Sequence, residues 1–413
     1  MFGVIVVGAG AAGLAAFQKL REAGCDALLL EARERVGGRI WTIKPHGWPA
    51  PVELGAEFIH GGVTEPEAAA TAEGQDWSVV DGELVPVGQL AEGADEVSKR
   101  LEAARGPDQS FAEFLNDHCR DLPEEARTRA LAFIEGYEAA DPARISVTSL
   151  QREFAADGEW GQPRRPRGGY SQWLGRLHAA GEIQLASPVR RIAWGPGSVV
   201  VATPAQEIAA RAAIITLPLS ILQRNEVTFV PPLTSKRAAL EALAMGGAVR
   251  AVLRLESRIW RDIRGATGGS LADLRFLFGG PGAFPTWWKD PHAEQITGWA
   301  GGPHAAALAG MTQTEIGARA LDSLAGLLRV SRRFLDRNLI EVHTHDWQAD
   351  PWSRGAYSYA CVGGADAHAA LAQPLSQSLF FAGEATDNSG HHATVGGAVA
   401  SGQRAAAEVL GAI

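Results

Sequence analysis

The sequence predicts an α/β fold that begins with a strand, a glycine turn and a helix. An apolar run at residues 4–7 is followed by GAGAAG at residues 8–13 and then by a stretch of helical character at residues 14–22. A second apolar run, residues 27–30, ends at Glu31, about 20 residues beyond the glycines. This order is typical of a unit that binds a dinucleotide.

Each part of this unit has a physical reason. Gly8 permits a tight turn, Gly10 lets the backbone approach a pyrophosphate, and Gly13 lets the helix pack closely on the strand. The helix N-terminus offers free N–H groups and a partial positive charge to phosphate, and Glu31 would accept hydrogen bonds from ribose hydroxyls. A glycine-rich turn in an ordinary α/β protein is the disfavoured alternative, because the acid lies at the expected distance.

Composition and charge exclude several function classes. The 413 residues suggest two or three domains of ~150 residues each. The net charge of −9 gives no electrostatic basis for binding nucleic acid, although it suits a cationic substrate. The three cysteines have the spacing of neither a metal site nor a disulfide framework, so we predict no metal and a reducing compartment.

The chain is predicted to be a cytoplasmic protein without a membrane partner. The first strand begins almost at Met1, which leaves no room for a signal peptide, and no apolar run reaches transmembrane length. The oligomeric state is not indicated.

Two segments after the first unit resemble FAD-dependent amine oxidases. EARERVGGR at residues 31–39 resembles their second signature, which implies that Glu31 binds the adenosine ribose and that the turn at Gly38 and Arg39 lies over the pyrophosphate. Both Arg33 and Arg39 offer charge for phosphate. VELGAEFIHG at residues 52–61 is similar to a segment of polyamine oxidases.

The polyamine-oxidase resemblance implies particular neighbours for the flavin. Gly55 and Ala56 would border the isoalloxazine ring, and His60 would face the amine. A lone histidine is more often structural, so chemistry alone favours a structural role for His60, and the resemblance brings a functional role level with it.

The middle of the chain carries less information. Residues 64–170 are predicted to be mostly helical, with a helix start at Pro123, and the basic run at 164–167 is predicted to be a solvated loop. The chain then returns to the FAD domain, where the resemblance places Val189 against adenine. The strand at residues 213–217 ends at Pro218.

Arg250 is a departure from the family pattern. Related oxidases have a lysine ten residues before the tryptophan that corresponds to Trp260. Arginine stays charged and cannot act as a base, but it could place positive charge near the flavin. The alternative is that Arg250 is an ion-paired strand residue. For Trp287, Trp288 and Trp299, further along, a core position is favoured over a pocket wall.

The last third of the chain carries three more resemblances. PWSRGAYSY at residues 351–359 resembles lysine-specific histone demethylases and polyamine oxidases, which implies that Trp352 lies against the flavin and Tyr357 in the substrate wall. Monoamine oxidases have a flavin-linking cysteine immediately before that tyrosine. This chain has Ala356 there, so we predict non-covalent FAD.

The final segment resembles the family's second cofactor contact. Glu384 would bind a ribityl hydroxyl, and the helix after Thr394 would point its N-terminus at the flavin. With threonine at position 394, only one aromatic wall, Tyr357, remains of the monoamine oxidases' pair.

Together these observations predict an α/β FAD-binding domain of the Rossmann-like, glutathione-reductase type with an inserted α+β substrate-binding domain. The FAD domain would comprise residues 1–65, 182–235 and 345–413, and the substrate domain residues 66–181 and 236–344. The predicted catalytic residues are Arg250, Tyr357 and His60. The predicted cofactor-binding residues are Gly8, Gly10, Ala11, Ala12, Gly13, Glu31, Ala32, Arg33, Gly38, Arg39, Gly55, Ala56, Glu57, Val189, Trp352, Gly383, Glu384, Thr394, Val395 and Ala398.

The predicted function is an FAD-dependent amine oxidase acting on a polyamine or other small cationic amine, with O2 as acceptor and H2O2 as product. Two alternatives stay open. One is an amine dehydrogenase or desaturase that uses another electron acceptor, which the missing lysine suggests. The other is a flavin-binding protein with little catalysis, since a fold does not determine function.

Overall fold

The computed structural model describes residues 2–59, 77–79, 84–86, 94–157, 164–166, 168–177, 181–262, 276–278, 282–289 and 294–413. The strands of these residues are β1 Phe2–Val7, β2 Ala27–Leu30, β3 Thr42–Ile43, β4 Val52–Glu53, β5 Trp77–Val79, β6 Leu84–Pro86, β7 Arg164–Pro166, β8 Glu182–Gln184, β9 Arg191–Gly195, β10 Ser198–Ala202, β11 Glu207–Ile215, β12 Thr228–Val230, β13 Leu243–Met245, β14 Ala248–Leu255, β15 Phe276–Phe278, β16 Thr286–Lys289, β17 Gln295–Gly301, β18 Leu339–Asp346, β19 Ser358–Ala360 and β20 Leu379–Phe381.

The helices of the described residues are α1 Ala11–Glu22, α2 Ala94–Ala103, α3 Phe111–His118, α4 Glu124–Tyr137, α5 Val147–Asp157, α6 Tyr170–Leu174, α7 Leu219–Gln223, α8 Arg237–Ala242, α9 Ile259–Asp262, α10 Gly302–Ala306, α11 Gln313–Leu328, α12 Arg332–Asn338, α13 Ala367–Ala372 and α14 Val395–Ala412. None of them is long and apolar enough to cross a membrane.

The first sheet has a parallel centre in the order β20-β11-β1-β2-β8. The first half of β11 also pairs with β10, which continues the sheet through β9 to β12. Val4 and Val6 of β1 pack into the core on the side of α1 and α14, whereas Ile5 and Val7 pack into the core on the other face. Burial on both faces explains why β1 is a continuous apolar run.

Helices α1 and α14 cover one face of this sheet and pack against each other. A Cβ placed on Gly402 would lie 2.1 Å from the carbonyl oxygen of Ala12. Only a glycine at position 402 allows the two helix backbones to approach this closely.

The second sheet has the order β18-β14-β17-β16-β15-β6, and α11 packs over it. Its strand β14, which has a neighbour on each side, confirms the strand predicted before Trp260. Arg250 of β14 is paired with Trp299 of β17 on one side and His345 of β18 on the other. The segment around Arg250 is therefore fixed by two neighbouring strands.

The region predicted to be mostly helical contains α2 to α5, and α4 begins directly after Pro123 as expected. Strand β6 from this region joins the second sheet, however, and β7 pairs with β5. The described part of the basic run, residues 164–166, is not a solvated loop: it forms β7, and Arg165 is only 9% exposed. The boundaries of the five predicted segments stay a prediction.

The close packing of α1 and α14 is testable with two substitutions in one helix. Gly402→Ala should lower the free energy of unfolding by about 1–3 kcal/mol, because the added methyl group overlaps the Ala12 carbonyl. Gly411→Ala is the matched control, since a Cβ at Gly411 meets nothing within 4 Å, and it should be neutral or stabilising by at most ~1 kcal/mol. Urea unfolding measures both, and equal effects would contradict the proposed packing constraint.

Candidate active site

The glycine turn after β1 leaves open space where the sequence predicts a pyrophosphate. Gly8 has a φ of 103°, and a Cβ on Gly13 would lie 1.8 Å from the carbonyl oxygen of Gly8. Nothing lies within 4 Å of the Cβ position of Gly10. The turn is therefore closed on its helix side and open beside Gly10, as an approaching phosphate group requires.

Glu31 lies at the end of β2 and is buried. Its Oε2 accepts a hydrogen bond from Ala9 N at 2.7 Å, and its Oε1 accepts one from Arg33 N at 2.9 Å. Each carboxylate oxygen can accept a second hydrogen bond. The backbone N–H groups of residues 186 and 187 bond the carbonyls of Arg33 and Glu31, which brings the buried Val189 close to this loop.

The Arg33 side chain binds a carboxylate of the chain itself. Its guanidinium forms a bidentate ion pair with Asp350 at 2.7 and 2.8 Å. Burial favours a raised pKa for Asp350, but hydrogen bonds from His345 and Arg33 outweigh it and hold that pKa well below its usual range. The charge that the sequence offered to phosphate is thus neutralised by Asp350, which also accepts from the backbone N–H of Trp352 at 2.9 Å. The ring of Trp352 is half-buried, with the Arg190 guanidinium 5.4 Å from its centroid.

The turn at Gly38 and Arg39 meets two segments from the last third of the chain. Arg39 Nη1 donates to Ala356 O at 2.6 Å and to Glu384 Oε1 at 2.7 Å. The other oxygen of Glu384 accepts from Ser358 Oγ at 2.6 Å. Burial favours a raised pKa for Glu384, but the charge of Arg39 and these hydrogen bonds lower it overall, so the carboxylate stays ionised.

Arg35 is a residue of this turn that sequence reasoning missed. Its guanidinium donates to the carbonyls of Val36, Gly38 and Ile40 at 2.9–3.1 Å. It therefore holds the backbone of the turn from inside. Nothing in the sequence distinguishes it from the other arginines of the segment.

Thr394 is the N-cap residue of α14. Its Oγ1 accepts from Gly397 N at 2.9 Å and donates to His391 O at 2.6 Å. Val395 and Ala398 lie in the first turn. The side chain of Thr394 is thus used to shape the helix end, which explains a polar residue at this position.

Glu57, Arg165, Arg250 and Trp288 form a buried group that we term the Glu57 cluster. The Glu57 carboxylate lies 2.8 Å from Arg165 Nη2 and 3.0 Å from Arg250 Nη2, and it accepts from Trp288 Nε1 at 3.0 Å. The Arg250 guanidinium also donates to Glu53 O at 2.8 Å. Sequence reasoning missed Arg165, because its partner lies more than a hundred positions away.

The cluster settles the immediate surroundings of Arg250. Its side chain is buried and lies 5.2 Å from the ring centroid of Trp288 and 5.7 Å from that of Trp299. Burial lowers the pKa of Arg250 while Glu57 opposes this. Arg250 is thus an ion-paired strand residue, and whether it also acts on the flavin stays a prediction. Nearby, burial raises the pKa of the Glu53 carboxyl to about 7.

The side chain of Tyr357 packs against the C-terminal end of α4, Tyr137. Its hydroxyl donates to Tyr137 O at 2.7 Å, and Trp299 Nε1 donates to Gly136 O at 2.8 Å. Glu138, which directly follows Tyr137, is buried and 4% exposed. Burial, and then the charge of Glu138, raise the pKa of Tyr357, so its hydroxyl stays protonated.

The segment before His60 packs on the Gly38–Arg39 turn. A Cβ on Gly55 would lie 1.9 Å from Arg39 O, and Ala56 N donates to the same oxygen at 3.2 Å. His60 itself lies outside the described residues, so its place in the site stays a prediction.

Comparison with known protein families decides the class of this protein. Residues 81–410 match the family model described as flavin containing amine oxidoreductase, and residues 6–72 match that of an NAD(P)-binding Rossmann-like domain. The chain belongs to the flavin containing amine oxidoreductase family. It is a flavin-dependent oxidoreductase that acts on CH–NH groups, with FAD as cofactor and with a Rossmann-like FAD-binding domain beside a substrate-binding domain.

Individual relatives agree with this assignment. Polyamine oxidase 1 of Oryza sativa subsp. japonica is 28% identical over 98% of this chain and 96% of its own. Human lysine-specific histone demethylase 2 is 24% identical over 98% of this chain, which spans only 53% of that relative. Among solved structures, a putrescine oxidase bound to putrescine has a TM-score of 0.82 at 23% identity, with 99% of both chains covered. Cyclohexylamine oxidase from Brevibacterium oxydans IH-35A has a TM-score of 0.80 at 22% identity, covering 99% of this chain and 98% of its own.

The residues present fit FAD. The open space beside Gly10 fits a pyrophosphate, and the Glu31 carboxylate retains acceptor capacity for ribose hydroxyls. The N-terminal turn of α14 offers a positive helix end near Glu384. The role of each individual residue in binding FAD stays a prediction.

The Glu57 cluster gives a stability prediction for this oxidoreductase. Glu57→Gln should lower the free energy of unfolding by about 3–5 kcal/mol, because it leaves two buried guanidinium groups without their carboxylate. Glu96→Gln is the control, since Glu96 pairs with Arg100 at the surface, and it should change the stability by at most ~1 kcal/mol. Urea unfolding measures the free energy of unfolding of both variants. A Glu57→Gln variant whose free energy of unfolding is nearly unchanged would mean that the cluster is not formed in solution.

Proposed function

We propose that this enzyme oxidises a small cationic amine, of the polyamine type or similar, to an imine that water hydrolyses to a carbonyl compound and a released amine. FAD, when bound, supplies the two-electron acceptor for the hydride on the carbon next to nitrogen. Electrons would then pass to O2, giving H2O2, so that amine, water and O2 become carbonyl, released amine and H2O2. The cytoplasm is the compartment proposed for this reaction.

The observation that carries the substrate proposal is the hydrogen bond from Tyr357 to Tyr137 O at the end of α4, next to the buried Glu138. A buried carboxylate attracts a cationic nitrogen, and the C-terminal end of a helix adds partial negative charge. The ring of Tyr357 offers a face that attracts the same cation and excludes water from it. These groups would orient the amine, which is the protein's main contribution when the cofactor carries the chemistry.

The substrates named for related proteins fit this interpretation. Relatives are named as polyamine oxidases, and the similar solved structures include putrescine and cyclohexylamine oxidases. A second ammonium group would find Glu138 at one end of the site. The guanidinium groups of Arg165 and Arg250 would repel it. We therefore favour a diamine or polyamine over a monoamine.

One observation favours a second candidate, an amine dehydrogenase or desaturase that uses another acceptor. Arg250 replaces the lysine of related oxidases, and its charge is paired with Glu57 at 3.0 Å. A free positive charge that would favour electron transfer to O2 is therefore weakened at this position.

Anaerobic reduction followed by exposure to air tests both candidates. Mixing the purified protein with diamines and monoamines should bleach the visible flavin spectrum with a diamine, and air should restore it with formation of H2O2. Bleaching that air does not reverse would establish the dehydrogenase. A flavin spectrum that no amine bleaches would reject both functions.

The role of Tyr357 is tested by two substitutions. Tyr357→Phe keeps the ring and should retain most amine turnover, whereas Tyr357→Ala should lower kcat/KM by about 10- to 100-fold, because it removes the aromatic wall. The control is Tyr359→Phe, since Tyr359 is buried in the core beside the α3 and α5 helices. Unchanged kinetics of Tyr357→Ala would reject its placement in the substrate wall.

FAD is proposed to be bound without a covalent link. Ala356 precedes Tyr357, whereas Cys361 lies directly after β19, where its sulfur accepts from Arg144 at 3.5 Å. Acid precipitation should therefore release all FAD into the supernatant, measured by its absorbance. Flavin that remains with the precipitated protein would overturn this proposal.

A further inference from the structure

Three titratable side chains lie buried together outside the Glu57 cluster. Glu153 lies on α5, His368 on α13 and His392 in the loop before α14, and their exposed fractions are 9%, 5% and 9%. The proposed reaction uses none of them. Buried charges are costly unless they are paired, so their burial requires an explanation.

The three side chains contact one another and the segments that flank the candidate cofactor site. His392 Nε2 lies 2.9 Å from Glu153 Oε1. The ring of His368 stacks on His392 with a centroid distance of 4.0 Å, and His368 Nδ1 lies 2.9 Å from Ala385 O. Ala385 directly follows Glu384, and His392 lies two residues before the N-cap Thr394. The three side chains are therefore linked both to the segment of Glu384 and to the start of α14.

The loop that carries His392 has little room to move. A Cβ on Gly397, in the first turn of α14, would lie 2.1 Å from His391 O. On the opposite side, a Cβ on Gly390 would lie 2.4 Å from Ala156 Cβ on α5. The loop is thus packed closely between α5 and the N-terminal turn of α14.

The charges around His392 favour its protonated form. Glu153 faces it from α5, Glu384 and Asp387 from the segment before the loop, and His368 from α13. Burial lowers the pKa of His392, but the charge and hydrogen bond of Glu153 outweigh it, so that the pKa is raised overall. Burial and the neighbouring His392 lower the pKa of His368 to about 4, which leaves it neutral.

We propose that His392, held by Glu153, is a positioning residue for the cofactor, and that its proton strengthens the binding of FAD at the N-terminal turn of α14. The inference rests on the proposed placement of FAD against this turn. An imidazolium here adds to the partial positive charge of the helix end, which favours an anionic ligand. Loss of the proton leaves Glu153 buried without its cation and weakens the contact that fixes the loop.

The sign of the pH dependence follows from the proposed preference of FAD for protonated His392. Such a preference means that bound FAD raises the pKa of His392 further, so its contribution to binding is complete where His392 is protonated without FAD and is lost as the pH rises through its pKa in the holoenzyme. FAD should therefore bind more tightly at pH 6 than at pH 9.

The test measures FAD release from the holoenzyme on dilution, by the fluorescence of free flavin between pH 5 and 9. In the natural sequence the dissociation constant should rise severalfold from pH 6 to pH 9, since FAD is proposed to bind more tightly while His392 is protonated. His392→Gln should bind FAD weakly at every pH and lose this rise. Glu153→Gln should move the rise below pH 6.5, because His392 loses the carboxylate that raises its pKa.

His46→Gln is the control, because His46 is exposed and distant in sequence, and it should behave as the natural sequence does. A dissociation constant that does not change with pH, or a His392→Gln variant that keeps the rise, overturns the inference. If His392→Gln does not fold, Glu153→Gln decides alone, since an unshifted rise contradicts the role of the pair. FAD that binds with this pH profile but is not reduced by any amine would reject only the proposed function, whereas a protein that binds no FAD rejects both.

Discussion

Ion pairs between segments far apart in the sequence hold the candidate site together. Arg33 binds Asp350, 317 positions away, and Arg39 binds Glu384, 345 positions away. Both pairs attach the loops after β2 to the last third of the chain. Because these carboxylates are buried, removing either arginine would leave a buried carboxylate without its guanidinium partner. The shape of the loops that carry Arg33 and Arg39 therefore depends on segments in the last third of the sequence.

The parallel sheet makes these pairings possible. Strands β1, β2, β11 and β20 run in the same direction, so their carboxyl ends meet at one edge. Each of these strands is followed within two residues by a residue of this edge: β1 by Gly8, β2 by Glu31, β11 by Thr216 and β20 by Gly383. Thr216 Oγ1 donates to Val7 O at 2.8 Å, which ties two of the strand ends together. Ligands of open α/β sheets bind at this edge, where the crossovers leave a crevice.

Local patterns account for most of what the sequence predicted correctly. The strand, glycine turn and helix of the first unit, the start of α4 after Pro123 and the strand β14 all follow from neighbouring residues. The prediction of a solvated loop at 164–167 was wrong, because it relied on the rule that charge runs are usually solvated. The burial of Arg165 depends instead on its ion pair with Glu57 at 2.8 Å. The Asp350 partner of Arg33 is non-local in the same way. Side-chain pairings between distant segments leave no periodic trace in a single sequence.

The charges of the Glu57 cluster suit a site in which an anion forms. The cluster has two guanidinium groups and one carboxylate, and Glu53 beside it, with a pKa of about 7, is only partly ionised at neutral pH. If FAD binds beside the cluster, as proposed, the guanidinium groups of the cluster would stabilise negative charge that develops there. An oxidoreductase that reduces FAD gains such negative charge at the cofactor. A lysine at position 250 would also be held cationic by Glu57. The charge at position 250 therefore depends on the residue at position 57, and the two positions have to be interpreted together.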